Sequence, residues 1–399
     1  MFRSSIMVFL YLSSFVFLTA FMLFNEEQIN KVKAQIVDKL IHSVDYYKGL
    51  KKNPRSLDEN GEPVLVKPSD WTSGFYPGCL WLGYEMSGNE KLKKGAEQHT
   101  KILENQKNNN TTHDMGFKMC CSFGNGYRLT HKKYYRDILI ESARTLAGRF
   151  NPKVGCIRSW DHHKKQWEYP VIIDNMMNLE LLFWAFNETG DSSFYKIAVS
   201  HANKTMKNHF RNDYSCYHVV DYDTLTGKVI KKNTHQGYAD NSSWARGQAW
   251  ALYGFTMTYR YTHDKEYLDL AENIAGFILN NKNMPDDMVP YWDFDDPAIP
   301  NAPRDVSAAA IISAALFELS RYSKDSSKYF NSAETILSSL IEHYQTPEDT
   351  IAHHNYFLLE HSTGNMPGHS EVDVPLIYAD YYFMEALLRR NNSEKLSCN

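Results

Sequence analysis

Apolar residues recur at helical spacing along nearly the whole chain, and the strict apolar-polar alternation of strands is rare. The periodic runs are interrupted by a recurring polar punctuation: Ser87-Gly88-Asn89-Glu90-Lys91-Leu92, Thr130-His131-Lys132-Lys133-Tyr134-Tyr135, Thr189-Gly190-Asp191-Ser192-Ser193-Phe194-Tyr195, Thr262-His263-Asp264-Lys265-Glu266-Tyr267 and Ser323-Lys324-Asp325-Ser326-Ser327-Lys328-Tyr329. Each joins a helix stop to an N-cap and a new helix start, which reads as the turn of a helical hairpin. Recurrence at intervals of roughly 40 to 75 residues marks a helical-repeat architecture. The runs amount to about twelve helices: one from Glu26 to Leu50, a pair flanking each turn, and a last one from about Asp373 to Arg390. Six hairpins predict an all-α chain closed into a toroid of inner and outer helices, with residues 26–399 as one domain.

The segments ahead of the helices that enter each turn or close the chain all contain an aspartate: Asp70, Asp114, Asp174, Asp240, Asp305 and Asp373. The simplest role for each is an N-cap, since a carboxylate accepts the free N–H groups of a first turn and suits the positive end of the helix dipole. Capping is the expectation for Asp240, Asp305 and Asp373. Asp114 and Asp174 differ. They sit among apolar and amide residues and open runs that are apolar nearly all round, Phe117 to Leu129 and Met176 to Phe186. Such helices belong to the inner ring. Their N-termini converge at one mouth of the toroid, which would bring two carboxyl groups into one cavity. Desolvation there would raise at least one carboxyl pKa and keep it protonated as an acid near neutrality.

Composition narrows the ligand. With 43% hydrophobic and 14% aromatic residues, the 399-residue chain can bury a large core, and its formal charge of −4 argues against a nucleic-acid coat protein. Six cysteines, with no C-x-x-C pair, read mainly as buried thiols. The adjacent His162-His163 and His353-His354 have no carboxylates at metal-site spacing, so neither a catalytic metal nor a cofactor is expected. The N-terminus carries Arg3 and an uncharged run from Ile6 to Phe24, ending at Glu26 and Glu27. At roughly 19 residues it is long for a signal-peptide core of ~7–15 and lacks a good small-x-small cleavage site. Residues 1–25 therefore read as a signal peptide or an uncleaved membrane anchor, and both place the domain outside the cytoplasm, in the periplasm or cell envelope.

Several aromatic and polar stretches could complete a sugar site. Trp244 and Trp250 could stack on pyranose faces and Arg246 could fork onto a carboxylate, but the three do not share one helical stripe, so one is expected in the core. Trp71, Phe75 and Trp160 are candidate aromatic walls, each with a core role as the alternative. His218, in Tyr217-His218-Val219-Val220-Asp221, alternates like a short strand or loop.

Five segments in order carry a family resemblance: Trp71-Thr72-Ser73-Gly74-Phe75-Tyr76-Pro77-Gly78, His113-Asp114-Met115-Gly116-Phe117, Ile157-Arg158-Ser159-Trp160, Pro170-Val171-Ile172-Ile173-Asp174-Asn175-Met176-Met177-Asn178 and Trp244-Ala245-Arg246-Gly247-Gln248-Ala249-Trp250. After the N-terminal run the chain resembles glycoside hydrolase family 88, the unsaturated glucuronyl hydrolases. The resemblance implies an (α/α)6 barrel and a substrate left by polysaccharide lyases, an oligosaccharide ending in a 4,5-unsaturated uronic acid. It implies hydration of that double bond, with Asp174 the proton donor to C4 and Asp114 a second carboxylate, nucleophile or electrostatic stabiliser. It also places His218, Thr234, Gln236, Arg246 and Trp250 against the unsaturated sugar. One departure bears on the leaving sugar. Members acting on sulfated glycosaminoglycan disaccharides carry a Ser-x-x-Ser-Gly-Lys arrangement before the last helix, whereas here Ser362 to Glu371 lacks the lysine and offers Asn365, His369 and Ser370. A glycosaminoglycan leaving sugar is thereby in doubt, and rhamnose sulfate of ulvan fragments or an unsulfated hexose become alternatives. Two other readings are an unsaturated rhamnogalacturonyl hydrolase on the same barrel and a non-catalytic uronate-binding protein.

Overall fold

The computed structural model describes residues 26–391, so the apolar N-terminal run and Cys398 lie outside the described residues. Helix α1 covers 26–46. It is followed by α2 (Phe75–Ser87), α3 (Glu90–Lys101), α4 (Met115–Met119), α5 (Asn125–Thr130), α6 (Lys133–Ala147), α7 (Asn175–Thr189) and α8 (Ser192–His209). The remainder are α9 (Ala245–Thr262), α10 (Lys265–Leu279), α11 (Val306–Leu319), α12 (Ser326–His343) and α13 (Ile377–Asn391). Burial sorts them into two classes. Every residue of α11 is buried, whereas α3 buries only Leu92, Gly95, Ala96, His99 and Thr100, and α6 only a stripe from Tyr135 to Leu146. An apolar stripe needs one covered side, and an all-round apolar helix needs to be surrounded. The all-round helices α2, α4–α5, α7, α9, α11 and α13 touch in that order, and α13 packs back on α2. That is the inner ring of an (α/α)6 barrel.

The predicted turns are present, and three of the five carry the predicted side-chain cap, whereas Lys132 and Asp325 precede α6 and α12 without capping them. Gly88 and Gly190 end α2 and α7 in the left-handed conformation, and His131 and His263 do the same for α5 and α9. Asn89, Asp191 and Asp264 then cap the outer helices by accepting from Lys91, Ser193 and Glu266 backbone N–H groups. The sixth pair is not a hairpin. Its inner member α13 ends the described chain and its outer member α1 begins it, with Arg390 on Glu26 and Lys91 on Asp45 (2.6 Å) tying α1 into the outer ring.

Three expectations need correction. The expected single helix over Phe117 to Leu129 is interrupted by a π turn at Cys120–Gly124, where the Asn125 N–H reaches the Cys120 carbonyl. Asp305 caps α11 as expected, but Asp240 instead accepts from the Thr234 N–H (2.9 Å), and Asp373 pairs with His361 (2.7 Å) four residues before α13 begins. Short polar side chains satisfy loop backbone as readily as helix ends, and sequence spacing does not separate the two. Finally, three small antiparallel sheets are present: β1 (Asn53–Leu57) with β2 (Pro63–Val66), β3 (Phe150–Asn151) with β4 (Cys156–Ile157), and β5 (Pro170–Ile172) with β6 (Val219–Tyr222) and β7 (Val229–Asn233). At two to five residues, none is long enough for alternation to show. All lie in connections that lead into α2, α7 or α9, so they gather where the inner helices start. Cys79, Cys120, Cys121, Cys156 and Cys216 are all buried, as expected.

Candidate active site

Asp114 and Asp174 immediately precede the inner helices α4 and α7, and neither side chain caps its helix. Both are thus left for other work. Backbone and amide contacts fix the two helix starts against each other. The Asn178 Oδ1 of α7 accepts from the Phe117 N–H of α4 (3.1 Å), and a Cβ on Gly116 would fall 2.5 Å from Asn178 Cα, so only glycine permits the approach. Ser159 ties both segments together: its carbonyl accepts from His113 (3.0 Å), its hydroxyl accepts from Ile172 (3.0 Å), and its N–H reaches the Pro170 carbonyl (2.9 Å).

The two aspartates line one cavity of about 500 Å3, within the usual range for small-ligand pockets. Burial pushes the Asp174 carboxyl up to about 6, against the lowering influence of His113 and Arg246, and the charge of Asp114 adds to the rise. Burial also opposes ionisation of Asp114, but His113 (Nε2–Oδ1 3.2 Å) and a hydrogen bond from the Thr112 hydroxyl outweigh it and hold that carboxyl below its ordinary range. The pair is therefore split into a protonatable acid and a persistent anion, the division of labour that acid/base chemistry on a sugar requires.

His218 lies directly behind Asp174. Its Nδ1 accepts from the backbone N–H groups of His235 and Gln236, both at 3.1 Å. That fixes the tautomer: Nδ1 is bare, the proton resides on Nε2, and Nε2 faces Asp174 Oδ2 at 3.6 Å. Burial holds the imidazole well below its ordinary range, so it stays neutral with its one N–H turned towards Asp174. Asp174 Oδ2 and His218 Nε2 are buried and have no hydrogen-bond partner among the described residues.

Gln236, Trp71, Trp160, Arg246, Asn365 and Ser370 also line the cavity. Arg246 presents its charge there, but its fork is occupied. Nη1 donates to Asp305 (2.6 Å) and to the Thr363 carbonyl (2.6 Å), Nη2 donates to the Gly364 carbonyl (2.5 Å), and the plane lies over Trp244 at 4.7 Å. These bonds anchor the 363–364 backbone beside the cavity. Trp244 is buried between Arg246 and His218 rather than free for a sugar face. Trp250 and Phe75 are fully buried and pack on Phe117, which makes them the floor beneath the site. Thr234 does not line the cavity; its hydroxyl accepts from Gly237 (2.7 Å) and shapes the turn that presents Gln236.

Sequence reasoning missed His113, Tyr378, Arg55, Asp70, Glu371 and the pair His162 and His235, all of which line the cavity. His113 could have been found, as the neighbour of a singled-out aspartate in a recognised segment. Arg55 on β1 reaches Asp70 and Glu371 only through the fold, and nothing in its sequence surroundings marks it.

With this geometry in hand, the likeness to known proteins is informative. The model of Glycosyl Hydrolase Family 88 matches residues 50–387. An unsaturated glucuronyl hydrolase of Formosa agariphila is 50% identical over 369 residues, 92% of each chain. An unsaturated chondroitin disaccharide hydrolase of Streptococcus pneumoniae is 33% identical over 380 residues, covering 92% of this chain and 93% of its own. The crystal structure of an unsaturated glucuronyl hydrolase specific for heparin superposes with a TM-score of 0.89 at 46% identity, covering 94% of this chain and all of that one. That of the Bacillus sp. GL1 unsaturated glucuronyl hydrolase gives 0.86 at 30% identity, over 92% and 97%. The chain belongs to Glycosyl Hydrolase Family 88, the unsaturated glucuronyl hydrolases, and is a glycoside hydrolase.

Proposed function

We propose that the protein removes the terminal 4,5-unsaturated uronic acid from lyase-generated oligosaccharides by hydrating the C4=C5 bond. The observation that carries this reading is the split pair, a carboxyl raised to about 6 beside one held ionised in the same cavity. Protonated Asp174 gives its proton to C4, the electron-rich end of the enol ether. Positive charge then develops at C5 and the ring oxygen, and the anionic Asp114 stabilises it. Water adds its oxygen at C5 and returns a proton to Asp174, whose carboxylate His218 Nε2–H faces at 3.6 Å. The C5 hemiketal opens to a ketone, which leaves a hemiacetal at C1. Its collapse expels the leaving sugar as an alcohol and yields an open-chain keto-acid, one water having been consumed in total.

For the leaving sugar we favour a glycosaminoglycan-type hexosamine, because the 46% identical neighbour is described as specific for heparin. The missing lysine before the last helix keeps ulvan-type products as the competing class. A panel of heparin, chondroitin and ulvan lyase products, followed by loss of the conjugated absorbance, decides between them. Turnover of heparin-type disaccharides above the rest supports the proposal, and preference for ulvan products reassigns the leaving sugar. If none is turned over, the hydrolase reading itself fails. The apolar N-terminal run supports export to the periplasm or cell envelope, which fractionation of cells expressing the full chain would test.

A further inference from the structure

The cavity mouth has two unlike walls. On one, the Arg55 guanidinium is shared between Glu371 (Nε–Oε1 2.5 Å, Nη2–Oε2 2.7 Å) and Asp70 (Nη1–Oδ2 3.0 Å), so two carboxylates face one cation. The other wall is built of rings. Trp160 and His162 stack at 5.4 Å and 21°, and His235 leans on Trp160 at 5.6 Å and on His163 at 5.5 Å. Behind them the Lys231 ammonium sits 6.0 Å from the Trp167 ring and donates to the Gln166 carbonyl. Lys164 and Lys165 are exposed on the same 161–167 turn. The acid of that turn, Asp161, is already paired with Arg149 (3.1 Å) and Arg158 (2.6 Å). His163 at the tip has φ 54°, a left-handed conformation that non-glycine residues adopt at a cost and that tends to occur where a loop is shaped for use.

We propose that this rim of imidazole and indole rings backed by lysines is a subsite for sugars beyond the leaving one, and that it takes an anionic sugar, carboxylate or sulfate ester. The inference rests on the hydrolase reading and extends it to longer substrates. A cavity of about 500 Å3 holds the terminal sugars, so a longer chain must cross one wall. On the Asp70–Glu371 wall the Arg55 cation is already bonded to two carboxylates, whereas the opposite wall pairs flat rings, which suit sugar faces, with three ammonium groups.

The test uses the full chain and three substrates from one lyase digestion: an unsaturated disaccharide, an unsulfated tetrasaccharide and a sulfated tetrasaccharide. The readout is the ratio of kcat/KM for tetrasaccharide to disaccharide. At low salt the wild-type ratio is expected at about fivefold, acting through KM, and at about one in ~0.5 M salt, because exposed pairs are weak and screened. The combined variant Lys164→Ser, Lys165→Ser, Lys231→Ser should bring the low-salt ratio to about one, and the matching triple arginine variant should restore it. Equal gains for both tetrasaccharides assign the contact to the carboxylate, and a gain for the sulfated one alone assigns it to the sulfate. A wild-type ratio near one, or a ratio unchanged in the serine variant, overturns the subsite. Absence of disaccharide turnover would instead refute the underlying hydrolase reading.

Discussion

At the residue scale the site depends on giving chemically identical carboxyls different surroundings. Asp174 has its pKa raised by burial to about 6, so catalysis that needs its proton should decline as pH rises through that value, giving kcat/KM an alkaline limb near 6. The same shift carries a stability cost. The folded state holds this proton more tightly than the unfolded chain, so stability falls as pH rises from the ordinary carboxyl range towards 6. Asp174→Asn should therefore be more stable than wild type at pH 7.5, on the order of 1–3 kcal/mol, with the gap closing by about pH 4 in urea titrations. An equal midpoint at both pH values would show that burial does not load this group. His218 separates two functions. His218→Asn keeps an acceptor for the His235 and Gln236 N–H groups but loses Nε2–H, while His218→Ala loses both. Both should lower kcat/KM at least ~10-fold, and only the alanine variant should lose ~1–3 kcal/mol of stability by denaturant titration, from orphaned N–H groups. The aspartates were legible in the sequence because they stand beside apolar helices. The His218 tautomer was not, since it depends on a backbone that arrives from seventeen and eighteen residues later.

At the element scale, α4 and α7 decide whether the two carboxyls meet. Their starts are in contact through Gly116 and Asn178, and a methyl group on Gly116 cannot be absorbed by a side chain because it meets backbone. Gly116→Ala is expected to cost ~1–3 kcal/mol by strain and, by displacing the aspartates, about 10²-fold in kcat/KM. Kinetics and thermal unfolding on one preparation check both, and wild-type values would mean the contact is not tight. Helix existence, inner or outer placement and the hairpin turns could be read from periodicity and caps. Strands of two to five residues could not, nor could the start of α13, because Asp373 looks like a cap in sequence and is a loop ligand of His361 in space. Trp250 and Phe75 resemble sugar platforms in sequence for a related reason: a ring under a site and a ring in it have the same composition signature.

At the scale of the whole molecule, the ring is locked from inside by ions as well as apolar packing. Glu318 of α11 accepts from Arg260 of α9 (2.6 Å) and pairs with Arg389 of α13 (3.0 Å), all three buried or nearly so. Glu318→Ala removes the carboxylate shared by the two guanidinium groups, leaving Arg260 to Glu180 (2.5 Å) and Arg389 to Glu385 (3.5 Å), and should cost ~1–3 kcal/mol, measured by chemical denaturation; a loss under ~0.5 kcal/mol would assign the shared contact no structural role. No local pattern announces this cluster, because its members come from different helices and each alone resembles a solvated charge. The barrel as a whole was legible, since five similar turns imply a closed repeat. Its closure by α1 and α13, from opposite ends of the described chain, required the structure.

The central claim is that the double bond is hydrated and the glycosidic bond breaks as a consequence. Parallel time courses of conjugated absorbance and released leaving sugar, on an unsaturated disaccharide with wild type and Asp174→Asn, test it most directly. The account predicts that absorbance falls before or in step with sugar release, and that Asp174→Asn lowers both rates by at least ~10²-fold while remaining folded. Release of the leaving sugar with the absorbance intact, or full rates in Asp174→Asn, would contradict it.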